Sequence, residues 1–267
     1  LELEELHKKA EELENRLRLK TKILAIKLLK NEAEIPEEAE RPLRDRGYHL
    51  DLCQALGMSR LEGKTMAMLK EDMWCFEPVV GLGLAEPSKQ FLDGENRYPW
   101  SVMKKEDASK WAHSLPHLKT GIYIGTVSAP LDSCSFYPDM YTIFCDPEQL
   151  THLLITKNCI DGEDITCTLS GHAGCVYAMV PVIKENRCIV ASPCRGFRSY
   201  AMTQREEIIF SCPTEWLPSY LEGMEHLEKH DWRFPYTRHV QPERRLNDNY
   251  AAIGKTMGMD YGSKYDT

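Results

Sequence analysis

The sequence predicts a mixed α/β chain, one compact domain with a mixed sheet flanked by helices. Three observations carry that reading. Short apolar runs of strand length alternate with helical patterns. The alternation is irregular, without the repeating strand–helix rhythm of a doubly wound sheet. No internal repeat or low-complexity linker divides the 267 residues, and a 42% hydrophobic fraction over that length supplies a sizeable core. We divide the chain into an N-terminal amphipathic helix (1–20), an α/β domain (21–230) and a C-terminal arm (231–267).

In order along the chain, Leu3, Leu6, Ala10, Leu13 and Leu17 are spaced alternately by three and four, which predicts a helix with one apolar seam. Two heptads are short for a coiled coil, so the seam is expected on the protein's own core; a homodimer is the alternative use for it. ILAIKLL (23–29) predicts a buried strand, ended by the acidic stretch NEAEIPEEAERP. LCQALGMSRLEGKTMAM (52–68) predicts a helix broken near Gly63, with Cys53 in its first turn. WCFEPVVGLGL places Cys75 close to a helix start. A turn-rich stretch, LDGENRYPWS (92–101), leads to a short helix over 106–118 that Pro116 interrupts.

GIYIGTVSAPL (121–131) and DMYTIFCD (139–146) predict two strands, and PEQLTHLLITKNC (147–159) a helix with Pro at its first position. DITCTLSG (164–171) favours no element. The small residues of GHAGCVYAMVPVI (171–183) predict a tightly packed helix carrying Cys175. NRCIVASPC and EEIIFSCP predict strands on either side of RGFRSYAMTQ, followed by a helix over 214–230. Beyond Asp231 periodicity fades, and an extended arm is expected.

Charge and motifs remove several function classes. A net charge of -8 argues against a protein that grips a phosphate backbone, and the basic residues are scattered except for Arg233, Arg238, Arg244 and Arg245. No apolar run is long enough to span a bilayer, and the first residues do not have the pattern of an export signal; a cytoplasmic protein with neither nucleic acid nor membrane as partner is the expectation. Neither a GxxxxGK[ST] loop nor a full dinucleotide fingerprint is present. The pairs His113/His117 and His226/His230 have ligand spacing, but Pro116 interrupts the first and the second sits on a solvated helix end. Both are read as surface histidines.

Ten cysteines are many for such a chain. A reducing compartment disfavours a disulfide framework, and the absence of any CxxC removes the strongest support for zinc ribbons, thioredoxin-like pairs and ferredoxin loops. Cys145, Cys188 and Cys212 lie in or beside apolar strand-like runs and are expected as core thiols. Cys53, Cys75, Cys175 and Cys194 stand apart. Each falls at the edge of an element beside small or turn-forming residues, where exposed backbone amides stabilise thiolate charge. Four such thiolates suit an iron-sulfur cluster or a zinc ion.

Cys194 also sits where an apolar run stops, next to Arg195 and with Arg198 nearby. Positive charge there lowers a thiol's pKa, so a ligand and a nucleophile are both open for Cys194. In the plainest alternative the cysteines are core thiols and Arg195 and Arg198 pair with Glu206 and Glu207.

These same blocks resemble the ArCR family, a cysteine-rich domain of unknown function found in archaea and mostly anaerobic bacteria. The resemblance runs from roughly Leu17 to Lys229. It rests on ILAIKLL with its acidic loop, CQALGMSRLEG (53–63), CFEPVVGLGL (75–84), DMYTIFCDPEQL (139–150), HAGCVYAMVPVI (172–183), and SPCRGFRSYA followed by EEIIFSCPTEWLPSYLEGM. Where the family has a Gly-Cys-x-Gly-x-Arg-like turn, this chain has Pro193 before Cys194. The resemblance implies a fold and a candidate site and brings no settled activity.

The residues and the resemblance together predict an iron-sulfur protein of anaerobic redox metabolism, a reductase of a small organic substrate or the partner of another redox protein. Cys53, Cys75, Cys175 and Cys194 would ligate a [4Fe–4S] cluster, Arg195 would hold an anionic substrate, and Cys194 with Arg198 would act in catalysis. The alternatives are a non-catalytic module holding zinc or haem for a partner enzyme, and a thiol enzyme with Cys194 as nucleophile.

Overall fold

The structure, a computed structural model, describes residues 1–236, 246–259 and 261. They fall into two compact units, Leu1–Pro235 and Tyr236–Thr267. The described part of the second unit is helical rather than extended: α10 (Asp248–Thr256) starts at Asn247, whose side chain accepts from the Tyr250 amide at 2.8 Å. Arg238, Arg244 and Arg245 lie outside the described residues.

The first unit is built on a six-stranded sheet of order β2-β3-β1-β4-β6-β5, in which every neighbouring pair runs antiparallel. The strands are β1 (Leu24–Leu29), β2 (Met66–Leu69), β3 (Gly125–Pro130), β4 (Met140–Cys145), β5 (Ile189–Ala191) and β6 (Ile208–Pro213). The expectation of a mixed α/β chain holds, with antiparallel pairing throughout. Both faces of the sheet are covered, which explains why strands such as LAIKLL read as continuous apolar runs. Along β1 side chains alternate: Leu24, Ile26 and Leu28 enter one core, while Ala25 and Leu29 enter the other.

The first core is closed by α2 (Leu52–Glu62), α7 (Gly174–Glu185) and α8 (Arg195–Tyr200). The second is closed by α1 (Leu3–Leu17), α6 (Pro147–Asp161) and α9 (Leu217–Lys229). In α1 the seam residues Leu6, Ala10, Leu13 and Leu17 are fully buried within this chain, so the one sequence hint of a homodimer is taken up by the protein's own core. Three shorter helices, α3 (Phe76–Gly81), α4 (Lys89–Leu92) and α5 (Lys105–Ser114), flank the first core.

Two local readings are corrected. MAML, expected as the end of a helix, is strand β2: Gly63 takes a left-handed conformation (φ 73°) that ends α2, and the residues beyond pair with β3. Cys188 and Cys212, expected as free core thiols, form a disulfide, because they face each other across the β5–β6 ladder with Cα atoms 4.2 Å apart. The other eight cysteines are free. Among the described residues no helix is long and apolar enough to cross a membrane.

His152, on α6, is 2% exposed, and burial pulls its pKa below the ordinary 6.5, with Glu228 opposing. A lowered folded-state pKa means that the unfolded chain binds this proton more tightly. Stability contributed by neutral His152 is therefore complete above about pH 6.5 and lost on acidification towards the folded-state pKa. Denaturant melts between about pH 7 and pH 5 should show this loss, and His152→Gln should flatten it.

Candidate functional site

The four cysteines singled out by their surroundings all lie at helix starts. Cys53 is the second residue of α2 and Cys175 the second of α7, while Cys75 and Cys194 are the residues from which α3 and α8 begin. Although they are spread over 142 residues of chain, from 53 to 194, all four line one cavity of about 210 Å³.

Local sequence explains how each arrives there. The Gln54 side chain accepts from the Asp51 amide at 2.8 Å and fixes the first turn of α2. Ala173 adopts a left-handed conformation (φ 51°) to launch α7. Gly174 then presses against the segment leaving β5: a Cβ on it would meet the Ser192 carbonyl oxygen and the Cys194 amide nitrogen at 2.8 Å each. That contact sets Cys175 beside Cys194. Gly196 does the same for the sulfurs, since a Cβ there would stand 3.3 Å from Cys53 Sγ and 3.6 Å from Cys194 Sγ.

Burial is the main influence on three of these thiols. It pushes the pKa of Cys53 up, with Cys194 and Asp51 adding to it. Cys75 is raised by burial and then by Glu77. Cys175 lies well above the usual thiol range through burial and then the neighbouring Cys194, Cys75 and Cys53. With nothing bound, the cavity therefore keeps these three as neutral thiols, and a cationic group is what would convert them to thiolates.

One wall of the cavity is a linked polar chain that sequence reasoning missed. Cys75 Sγ donates to Glu77 Oε2 at 2.9 Å, Arg97 Nη2 donates to Glu77 Oε1 at 2.5 Å, and Arg97 Nη1 lies 2.7 Å from His172 Nδ1. The guanidinium also stacks over the Trp111 ring at 4.4 Å. The available signals were slight: Glu77 follows Cys75 by two positions and His172 precedes Cys175 by three. Arg97 had none, since it belongs to a turn-rich stretch and reaches the site through space.

Arg195 lines the cavity, exposed, and among the described residues no hydrogen bond or ion pair engages it. Arg198 does not line the cavity. Its guanidinium donates to the carbonyls of Gln204, Arg205 and Glu207, where it closes the turn between α8 and β6, so its position corrects the expectation that it stands beside Cys194 in the site. The plain pairing of Arg195 and Arg198 with Glu206 and Glu207 is not formed either. Glu206 pairs with Lys20 and Glu207 with Arg60. Of the two histidine pairs, His226 and His230 stack at 4.3 Å on an exposed helix end, and His113 hydrogen-bonds the Ser109 carbonyl. Among the described residues no group of three or more His, Cys, Asp or Glu side chains is arranged to hold a metal ion.

The family model described as uncharacterised ArCR, a domain of unknown function, matches residues 12–223 of this chain. The chain belongs to the ArCR family. All four cavity cysteines fall inside the matched ArCR region. A curated relative is an uncharacterised protein of Methanocaldococcus jannaschii, 27% identical over 232 residues, which cover 86% of this chain and 97% of the relative. No solved structure matches.

Proposed function

We propose that this ArCR protein is an iron-sulfur protein of redox metabolism, with a [4Fe–4S] cluster held by Cys53, Cys75, Cys175 and Cys194 and a small organic molecule as substrate. The observation that carries the reading is the meeting of four cysteines from four separate segments in one cavity. Chance placement of buried filler thiols would scatter them through both cores, as with Cys134 and Cys145 in the other one.

The donor set fits the group. It consists of four sulfurs, with Gly196 leaving open the space between two of them that a side chain would fill. A cubane takes one thiolate at each of four irons, so its ligands stand around a cavity; a single zinc ion draws its thiolates onto one point. When bound, such a cluster supplies one-electron transfer. The protein's own residues supply the rest. Glu77 Oε2 accepts a hydrogen bond from the Cys75 thiol and orients its sulfur. Arg97 holds Glu77 in place, and Arg195 offsets negative charge at the cavity mouth.

A second reading has one observation in its favour. Cys194 is half-buried rather than enclosed and adjoins Arg195, an accessible position that suits a nucleophile.

Iron, zinc and acid-labile sulfide content, with an absorbance spectrum, on protein purified without oxygen tests both. Iron with matching sulfide and a broad brown absorbance is the expected result, and each of Cys53→Ser, Cys75→Ser and Cys175→Ser should lower both contents. Zinc alone or haem would replace the cluster by a binding module. Metal-free protein whose alkylation rate collapses on Cys194→Ser would replace it by the thiol enzyme.

A further inference from the structure

The polar wall of the cysteine cavity offers hydrogen-bond donors to a ligand. Arg97 spends two of its N–H groups on Glu77 and His172, and its Nε–H is buried out of reach of the cavity.

His172 supplies one donor by necessity. A guanidinium donates and never accepts, so the His172 Nδ1 that lies 2.7 Å from Arg97 Nη1 carries a lone pair. Burial and then the Arg97 charge lower the His172 pKa, with Glu77 opposing, so the ring is neutral and its single proton is on Nε2. The tautomer is thereby fixed, and the ring that lines the cavity brings an N–H donor. Arg195, lining the same cavity without a side-chain hydrogen bond or ion pair among the described residues, is the other.

We infer that the cavity is a receptor for a small monocarboxylate, bound by Arg195 and the His172 Nε2–H, with Arg97 holding the His172 ring in the donating tautomer. Two features select a carboxylate with one charge. Planar oxygens match the fork of an arginine. Asp51 and Glu77 also line the cavity and already balance Arg97 and Arg195, so each further negative charge on a ligand adds repulsion and a dianion is disfavoured relative to a monoanion. The inference names the substrate class of the proposed redox site and rests on that reading only for the bound anion's role as substrate; the binding itself stands on the donors.

Titration calorimetry on the full chain, purified without oxygen and assayed for iron and sulfide in the same preparation, provides the test, with acetate and inorganic phosphate as probes. Saturable acetate binding is expected, with phosphate weaker. Arg195→Gln, at an exposed position, should weaken acetate by about tenfold or more, as loss of a charged hydrogen bond does. His172→Phe should weaken it by about two- to tenfold, the range for a neutral hydrogen bond, and His172→Gln, which restores an N–H donor, should recover most of the loss. No saturable acetate binding, phosphate tighter than acetate, or an unchanged affinity in Arg195→Gln would each overturn the inference. If iron and sulfide are present but acetate does not bind, the carboxylate assignment fails alone. If acetate binds to protein lacking both, the cluster fails and the carboxylate site remains.

Discussion

Glu207→Ala should cost about 3–5 kcal/mol of stability, the range for removing one partner of a buried ion pair. Arg60 and Glu207 are 2% and 4% exposed and joined at 2.7 Å, and the Arg60 guanidinium lies over the Phe144 ring at 4.0 Å. With Glu207 gone, that guanidinium is left charged in the core between α2 and β4. Glu207 also accepts from the Gln204 amide at 2.7 Å, and Arg198 closes the same turn. The variant therefore loosens the α8–β6 turn at one end and α2 at the other, and these are the elements that bring Cys194 and Cys53 to the cavity. Denaturant unfolding measures the loss. The double variant Arg60→Met with Glu207→Leu should recover most of it, because two apolar side chains leave no stranded charge. A cost below about 1 kcal/mol for the single variant would mean the pair is open to water.

Gly174→Ala should damage the site more selectively. Its Cβ would meet two backbone atoms at 2.8 Å, and backbone cannot rotate aside as a side chain tip does. The start of α7 has to move away from the segment 192–194, at about 1–3 kcal/mol, the usual penalty for overpacking. Cys175 moves with the first and Cys194 belongs to the second, so bound iron and sulfide should fall further than global stability does. Comparing metal content with the unfolding midpoint checks this. An equal loss in both would place the effect in the core rather than at the cavity.

Much of the architecture was legible in the sequence because both sheet faces are covered. Under that condition strands become short unbroken apolar runs, as in LAIKLL and MYTIFC, and helices become periodic, as in α1. MAML escaped because four apolar residues after a helix fit either element, and only pairing with β3 settles them. The cysteine set was legible for a different reason. A side chain that serves a cavity tends to sit where an element begins, and Gly, Ala, Pro and Asp beside these four mark such edges. The Cys188–Cys212 bond was not, since it depends on strand register, which periodicity does not specify. Neither was Arg97, whose role comes from a turn-rich stretch folding back onto Glu77 and His172.

The four helix starts that meet at the cavity are supplied by segments from both ends of the first unit, and none of the cysteines is near another in sequence. No short fragment of the chain can therefore form the cavity, which is complete only once the segment carrying Cys194 has been synthesised. A ligand that binds the closed cavity would stabilise the folded chain by RT ln(1 + [L]/Kd) over a denatured chain in which these four segments are apart.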